Sequence, residues 1–251
     1  MIAFDLTGWT CLAVTGPDAA KFLQNFCTND LLKAEHACEA FFTSEKARVL
    51  GHGWLLKDAP QPGTVTFVGT PGQGPGLVTH LSKYALMEDV EFADRTGDPL
   101  WFESRTDGWP PGDPLEGGLF HLCDPSEDAW TLSEEARIDA KLPLIGTDLT
   151  EANLCMEADR PWAICYTKGC YLGQEPVARV RALGKVNKLL RGLKLAPGSL
   201  APASGAPVTA DDEEVGVVTS AADDVALGVV KRKWAEPGTA VRVGEADATV
   251  F

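Results

Sequence analysis

The C-terminal part of the chain constrains the fold most strongly. After Lys188, short runs of aliphatic and β-branched residues alternate with Gly, Pro and Asp, and little helical periodicity remains. Several short strands with tight connections are typical of a small closed barrel, because closure removes exposed sheet edges. The pattern predicts five strands, at residues 189–195, 215–219, 225–230, 240–243 and 248–251.

The part before Lys188 alternates strands with helices. The connections are short, which predicts an α+β fold built on small mixed or antiparallel sheets. One helix has Pro17 at its first position, where the missing N–H costs nothing, and another opens at a capping box in residues 131–134. A Pro- and Gly-rich loop is expected at residues 105–118. Strands are predicted at residues 9–14, 49–56, 64–68, 90–92 and 100–102, and a helix carrying Leu77 and Leu81 follows a glycine loop at 69–76.

Composition excludes several classes of protein. No run approaches the roughly 18 consecutive apolar residues of a membrane helix, and the first residues lack the pattern of a secretory signal. Seven cysteines occur without a CxxC pair or zinc-finger spacing, which favours reduced thiols and predicts no metal site. A cytoplasmic protein without a membrane partner is therefore expected.

Charge is distributed unevenly along the chain. The net charge of −14 makes nucleic acid an unlikely partner, because binding to phosphates needs a basic surface. Residues 168–194 nevertheless contain seven basic residues and one acid, Glu175, and residues 231–233 are all basic. A solvated face is one explanation, but the acidic background favours a local anion-binding surface.

Two common catalytic or binding patterns are absent. The glycine loop at 69–76 is GxGxG rather than a dinucleotide fingerprint, and Pro75 removes an N–H that a phosphate would use. No GxSxG motif accompanies the histidines, so a hydrolase is unsupported.

The octapeptide KGCYLGQE at residues 168–175 is the most informative motif. Gly169 and Gly173 bracket a cysteine, which suggests a tight turn that lets the backbone approach a ligand. Lys168 beside Cys170 would favour the thiolate form of the sulfur. A Gly-rich turn around a structural cysteine explains the residues equally well, so the motif alone leaves both interpretations open.

The octapeptide, followed by PVAR, closely resembles the signature of the YgfZ family of folate-binding proteins. These proteins are relatives of the T-protein of the glycine cleavage system and include factors that support iron–sulfur enzyme maturation. Further segments agree in order and spacing with the family over nearly the whole chain: residues 16–24 with 28–30, 137–148, 153–157, 215–220 and 226–231.

The resemblance implies a ring of three subdomains around a channel for tetrahydrofolate or a one-carbon derivative. Two are ferredoxin-like α/β subdomains interleaved in residues 1–188, the second at roughly 55–125, and residues 189–251 form a C-terminal small β-barrel. The implied function is a folate-binding accessory protein for the assembly or repair of iron–sulfur enzymes, including enzymes of tRNA modification. Iron–sulfur client or assembly proteins are the implied partners.

The resemblance also implies a site. Cys170 is its functional thiol, acting in thiol exchange, transient cluster contact or partner docking. Glu157 is the carboxylate expected to bind the pterin, since a carboxylate can accept two parallel hydrogen bonds from the guanidine-like edge of that ring. Basic residues after Glu175 are expected to hold the glutamate tail of the folate. The remaining predicted folate-binding residues are Asn29, Lys168, Gly169, Tyr171, Gly173, Gln174, Glu175 and Arg179.

One departure from the T-protein pattern bears on activity. T-protein aminomethyltransferases carry an essential Asp in an I-L-D-D-L segment, and the corresponding stretch here is V-L-G-H-G at residues 49–53. Without a carboxylate at Gly51–His52, aminomethyl transfer lacks its electrostatic partner, so a classical aminomethyltransferase is not expected. A folate-dependent aminomethyl- or methyltransferase is the alternative. A smaller departure is D-A-K at 139–141 in place of E-A-G.

Overall fold

A computed structural model describes residues 2–104, 118–122, 129–184 and 186–251. Residues 105–117 of the loop predicted at 105–118, together with Cys123 and Lys185, therefore lie outside the described residues, and Gly118 begins a strand instead of ending the loop. Two sheets, a closed barrel and short helices make up the described part, which confirms the α+β prediction. The helices are α1 Ala19–Gln24, α2 Gly74–Ser82, α3 Glu134–Asp139 and α4 Gln174–Leu183, with 3-10 segments at Cys155–Ala158, Pro161–Ala163 and Arg232–Trp234.

The strands of the first two sheets lie before helix α3. They are β1 Ile2–Asp5, β2 Thr10–Thr15, β3 Ala37–Thr43, β4 Val49–Lys57, β5 Val65–Gly69, β6 Glu91–Asp94, β7 Trp101–Ser104, β8 Gly118–His121 and β9 Trp130–Thr131. The barrel strands are β10 Lys188–Leu195, β11 Pro207–Ala210, β12 Glu213–Ala222, β13 Val225–Lys231, β14 Ala240–Val243 and β15 Ala246–Val250.

A five-stranded antiparallel sheet has the order β3-β4-β5-β2-β6. Phe22 of α1 and Leu77 of α2 pack on one face, because their helical spacing places the apolar residues on one side. Trp54 and Val68 form a second apolar cluster with Phe102 of a four-stranded sheet of order β8-β7-β1-β9. The two sheets therefore share a core. The domain limits at residues 55, 125 and 188 stay a prediction.

The C-terminal strands close into a barrel of order β10-β13-β12-β11-β14-β15. Leu193, Val218, Val230 and Val241 belong to its buried cluster. The sequence predicted five of these strands and missed β11, which is four residues long and begins with a proline. A strand this short carries too little alternation to be recognised.

A buried polar cluster joins the segment after α3 to the barrel. The carboxylate of Asp148 accepts hydrogen bonds from Arg137 Nη1 at 2.8 Å, Thr219 Oγ1 at 2.5 Å and Ser220 Oγ at 2.7 Å. A buried carboxylate is tolerated when its neighbours supply donors. Two of the segments that carried the family resemblance thus meet in one structural cluster.

Two predicted helix starts were wrong in detail. Ser133, not Thr131, caps α3, and its side chain accepts a hydrogen bond from Ala136 N at 3.1 Å. Thr131 cannot cap because it is paired in strand β9. Pro17 precedes α1 rather than opening it, since Asp18 is the residue at the helix N-cap. Among the described helices, none has the length and apolar character to cross a membrane.

Candidate functional site

Lys168 anchors the loop of residues 168–175 against the end of helix α1. Its side chain is buried, and its ammonium donates to the carbonyl oxygens of Gln24 at 2.6 Å, Cys27 at 2.7 Å and Asn29 at 2.7 Å. These acceptors account for the three donors of an ammonium group. In the described part of the chain, no hydrogen bond joins Lys168 to Cys170. The expected stabilisation of the Cys170 thiolate by Lys168 is therefore not supported by a direct hydrogen bond.

Replacing Lys168 by methionine should lower the free energy of unfolding by about 2–4 kcal/mol, because three turn carbonyls lose a charged donor while the side-chain length is kept. Urea unfolding followed by circular dichroism measures the change. Lys46→Met is the control at an exposed position. Equal stability of the two variants would show that the ammonium is not what holds the loop.

The middle of the loop is fixed by further contacts. The ring of Tyr171 is buried, with Lys168 Nζ 5.0 Å from its centroid. Leu172 N–H donates to Asn25 O at 2.9 Å, and the Thr43 hydroxyl donates to Leu172 O at 2.8 Å. The loop is therefore held from both α1 and strand β3.

The two glycines of the loop have different surroundings. Gly173 has φ +86°, and a Cβ at this position would lie 2.5 Å from Ser44 O. Gly169 is exposed, has no such backbone constraint, and a Cβ there would meet no atom within 4 Å. Gly173 is thus required by the fold, whereas Gly169 leaves open space beside Cys170.

Two cysteines of this region are accessible to solvent. Cys170 is exposed at the tip of the loop, and Cys165 is partly exposed. Burial raises the pKa of the Cys165 thiol, but hydrogen bonds from the Thr167 hydroxyl and from the backbone of Thr167 and Lys168 outweigh it and lower that pKa. Cys165 was not singled out by the sequence, since nothing around it in the chain marks it.

Two adjoining cavities lie beside helix α4. Tyr171 and Gln174 line the first, of 350 Å³, together with Cys165, Tyr166 and Arg181. Tyr166 and Arg181 also line the second, of 420 Å³. Volumes of this size suit small organic ligands. The structure thus brings Tyr171 and Gln174 together, while Glu175 and Arg179 are exposed on the same helix.

Two other predicted residues, Glu157 and Asn29, form hydrogen bonds within the protein. Glu157 is buried in the 3-10 segment Cys155–Ala158, and its Oε2 accepts a hydrogen bond from Asn153 Nδ2 at 2.9 Å. Asn29 Nδ2 donates to the backbone oxygens of Glu39 at 2.7 Å and Trp162 at 2.9 Å. The roles of Glu157 and Asn29 in folate binding stay predictions.

A buried charged cluster was missed by the sequence. His52 Nε2 lies 2.6 Å from Glu39 Oε1 across strands β3 and β4. Arg160 forms a bidentate ion pair with the same carboxylate, through Nε to Oε1 and through Nη2 to Oε2 at 3.0 Å. Trp162 Nε1 also donates to Oε2, at 2.7 Å. The stretch that lacks a carboxylate in sequence therefore receives one from the neighbouring strand.

Arg160 and His52 keep the Glu39 carboxylate ionised and balance its charge. Burial raises the pKa of Glu39, but the charge of Arg160 and the hydrogen bond from His52 outweigh it and hold the pKa at about 2. Burial lowers the pKa of His52, so a neutral imidazole donates to an ionised Glu39. Glu39 is thus balanced by Arg160 and is unsuited to act as a free base.

Lys141 is the residue that replaces the glycine of the family's E-A-G pattern in the D-A-K segment at 139–141. It has a left-handed backbone, with φ +50°, at the position where the family pattern has glycine. Its ammonium lies 5.4 Å from the centroid of the Phe251 ring, and burial together with the charge of Arg191 lowers its pKa. The cation–π contact links this turn to the barrel.

Comparison with known proteins agrees with this arrangement. Residues 188–251 match the family model of the CAF17 C-terminal beta-barrel domain. The chain is 25% identical to a chloroplastic protein of Arabidopsis thaliana named as a transferase, over 98% of this chain and 68% of that protein. It is also 25% identical to a mitochondrial protein of Pyricularia oryzae named as a homolog of the iron-sulfur cluster assembly factor IBA57, over 83% of this chain and 60% of that protein.

A solved structure extends the likeness to the whole fold. The glycine cleavage system aminomethyltransferase T from Bartonella henselae superposes with a TM-score of 0.78 over 99% of this chain and 84% of that chain, at 19% sequence identity. This chain therefore has the fold of the glycine cleavage T-protein. The fold predicted from the octapeptide and its companion segments is thereby confirmed, and the sequence matches agree with the predicted resemblance to the family.

Aminomethyltransferases of different lengths are also similar in sequence to this chain. An aminomethyltransferase from Listeria monocytogenes is 25% identical over 96% of this chain and 81% of that protein. An aminomethyltransferase from Caldanaerobacter subterraneus is 27% identical over 92% of this chain, which spans 53% of that protein. The chain thus spans between about half and four fifths of the length of these curated relatives.

Proposed function

We propose that this chain is a cytoplasmic tetrahydrofolate-binding accessory protein that supports the assembly or repair of iron–sulfur enzymes. The observation that carries the proposal is the loop of residues 168–175. Its buried residues Lys168 and Tyr171 fix the loop, and Cys170 between them is exposed. A fixed loop that exposes a thiol, and whose next residues Tyr171 and Gln174 line a ligand-sized cavity, is suited to bring that thiol to a partner or its sulfur and iron chemistry.

The comparisons support the iron–sulfur part of the proposal. The barrel matches the CAF17 domain, and one relative is named as an iron-sulfur cluster assembly factor homolog. The six described cysteines are all free thiols, which favours a reducing compartment. No group of three or more potential metal ligands is present among the described residues, so a contact with a cluster would be transient and shared with a partner.

The cavities beside α4 support the folate part. Tyr166 and Tyr171 offer aromatic faces, Gln174 offers an amide, and Arg181 offers a guanidinium for a carboxylate. These residues fit the aromatic body and acidic tail of tetrahydrofolate.

Glu39 favours the accessory role over aminomethyl transfer, because the carboxylate nearest His52 is buried and paired with Arg160.

A deletion strain complemented with variants tests the proposal. Cys170→Ala should fail to restore the activity of iron–sulfur enzymes, while the purified variant unfolds at the same urea concentration as the wild type. Cys165→Ala is the matched control, because it removes a second accessible thiol from the same region. We expect it to complement fully.

Two results would contradict the proposal. Normal activities of iron–sulfur enzymes in the deletion strain would show that the protein is not needed for their assembly or repair. If calorimetry detects no binding of tetrahydrofolate at millimolar concentration, the folate-binding part of the proposal is wrong. Release of formaldehyde equivalents at enzymatic rates would instead support the aminomethyltransferase alternative.

A further inference from the structure

A groove of 560 Å³, here called the α2 groove, runs along the exposed side of helix α2. Leu77 and Leu81 take the other side of this helix into the core. The groove wall on the helix side recurs at a spacing of four residues and so forms one face, consisting of Pro75, Gly76, Thr79, His80, Lys83 and Tyr84. The opposite wall comes from the turn between β3 and β4, from β4 and from a later loop, and consists of Ser44, Glu45, Leu50 and Glu151.

Tyr84 gives one end of the α2 groove a fixed aromatic surface. Its ring centroid lies 5.4 Å from that of His80 and 4.9 Å from that of Phe26, so neighbours on two sides hold the ring. The residue is nevertheless 37% exposed. An aromatic side chain that is already held in place can bury area against a partner with little further loss of entropy.

His80 contributes an unpaired polar atom to the same groove. Its Nε2 is buried and has no hydrogen-bond partner among the described residues. Burial and the charge of Lys83 lower the pKa of His80 against the opposing charges of Glu151 and Glu45, so the ring is neutral at pH 7. A buried polar atom without a partner is unfavourable in the free protein, and a ligand that offers it a hydrogen bond removes that cost.

An exposed apolar patch continues the groove. Leu86 and Met87 follow Tyr84 in the chain, and they are 81% and 93% exposed. Single exposed apolar residues are ordinary, but two consecutive ones beside an aromatic groove form a patch whose burial by a partner is favourable. Methionine is flexible and adapts to the shape of the surface that covers it. The patch therefore extends the α2 groove as an apolar contact surface.

Acidic residues surround the groove and the patch. Glu45 and Glu151 line the groove together with one base, Lys83. Three further exposed acids follow Met87, namely Glu88, Asp89 and Glu91. A partner segment that carries Lys or Arg beside its apolar residues is complementary to this arrangement, whereas an acidic segment is repelled by it.

We propose that the α2 groove and the patch of Leu86 and Met87 bind a basic amphipathic helix of a partner protein. The apolar face of that helix packs on Tyr84 and on the patch, and its Lys or Arg side chains pair with Glu45 and Glu151. A groove that runs along a helix is the geometry in which a second, amphipathic helix packs. The site goes beyond the proposed function, because it requires neither a folate nor iron–sulfur chemistry.

A labelled synthetic peptide tests the proposal on the full chain. The peptide has about 15 residues, with leucines at helical spacing on one face and lysines on the other. Fluorescence anisotropy measures its Kd, and we expect Leu86→Ser combined with Met87→Ser to weaken binding about tenfold or more. Leu200→Ser is the matched control, because Leu200 is 91% exposed in the loop after β10 and should leave the Kd unchanged.

A second pair of variants tests the charges. Glu45→Gln combined with Glu151→Gln should weaken peptide binding about threefold to fivefold at low salt, and less at high salt. Asp211→Asn combined with Asp212→Asn is the control, because it removes the same charge from an exposed turn between β11 and β12. We expect this control to bind the peptide as the wild type does.

Three results would overturn the site. They are no binding at about 1 mM peptide, an equal loss of affinity in Leu200→Ser, and equally tight binding of a scrambled peptide of the same composition. The last would mean that the net charge of −14 alone attracts the peptide. Amide hydrogen exchange gives the location, since bound peptide should slow exchange in residues 74–91, and slowing confined to other residues would contradict the assignment. Folate binding is measured separately by calorimetry, so either proposal can fail without the other.

Discussion

Replacing Glu39 by glutamine should destabilise the protein by about 3–5 kcal/mol at neutral pH. Glu39 is completely buried, and its carboxylate balances Arg160, whose side chain is 3% exposed. Glutamine keeps the size of the side chain but removes the charge, so the buried Arg160 would lose the counter-charge of Glu39. Removing one partner of such a pair costs far more than the pair itself contributes, because the remaining charge cannot regain its hydration.

Two variants identify the cause. The double variant Glu39→Gln, Arg160→Met should recover part of the lost stability, because the buried guanidinium is removed together with the carboxylate that balances it. Asp224→Asn, which breaks the exposed pair with Lys194, should leave the urea midpoint unchanged. A double variant as unstable as Glu39→Gln alone would show that packing, not charge, determines the effect.

The pH dependence of the Glu39 effect follows from its pKa. In the folded protein that pKa is about 2, below the value of roughly 4.3 for an unfolded glutamate. Its contribution is therefore fully present above about pH 4.3 and is lost as the pH falls toward 2. The stability difference between wild type and Glu39→Gln should shrink over this window, as measured by urea unfolding at successive pH values. A difference that stays constant would contradict the assigned charge state.

The same cluster shows where sequence reasoning stops. Strand β4 was predicted from its pattern, but β3 was not, and the pairing of Glu39 with His52 exists only across these two strands. Arg160 lies 121 residues from Glu39 along the chain. A glutamate within an otherwise apolar run, between Cys38 and Ala40, is the one local signal of a buried charge, since an unpaired charge is almost never fully buried.

Other features could be predicted because their signals are local. The barrel was recognised from the alternation and turn residues after Lys188, and α2 from the spacing of Leu77 and Leu81. Lys168 shows the opposite case. Its place in the octapeptide suggested a role beside Cys170, yet its ammonium binds carbonyls of the turn after α1, more than 130 residues away in sequence. Spacing within a motif cannot show which members of the motif face inward.

The glycines of the octapeptide give the second large effect. Gly173→Ala should lower the free energy of unfolding by about 2–4 kcal/mol. At φ +86° an L-residue is strained, and the new Cβ would lie 2.5 Å from both Ser44 O and Thr43 Oγ1. Because Ser44 O is a backbone atom, relief requires a shift of the strand end or of the start of α4. Gly169→Ala is the matched control, since it changes the same residue type four positions earlier, in open space.

The comparison also separates stability from ligand binding within one motif. Urea unfolding should show Gly169→Ala within about 0.5 kcal/mol of the wild type. If Gly169 serves the close approach of a ligand or partner to Cys170, the same variant should weaken tetrahydrofolate binding or complementation without any loss of stability. Gly173→Ala should lose function only in proportion to its loss of folded protein, and lowering the temperature should restore it. A Gly173→Ala protein that is stable but inactive would show that Gly173 contacts the ligand and that its role is not only structural.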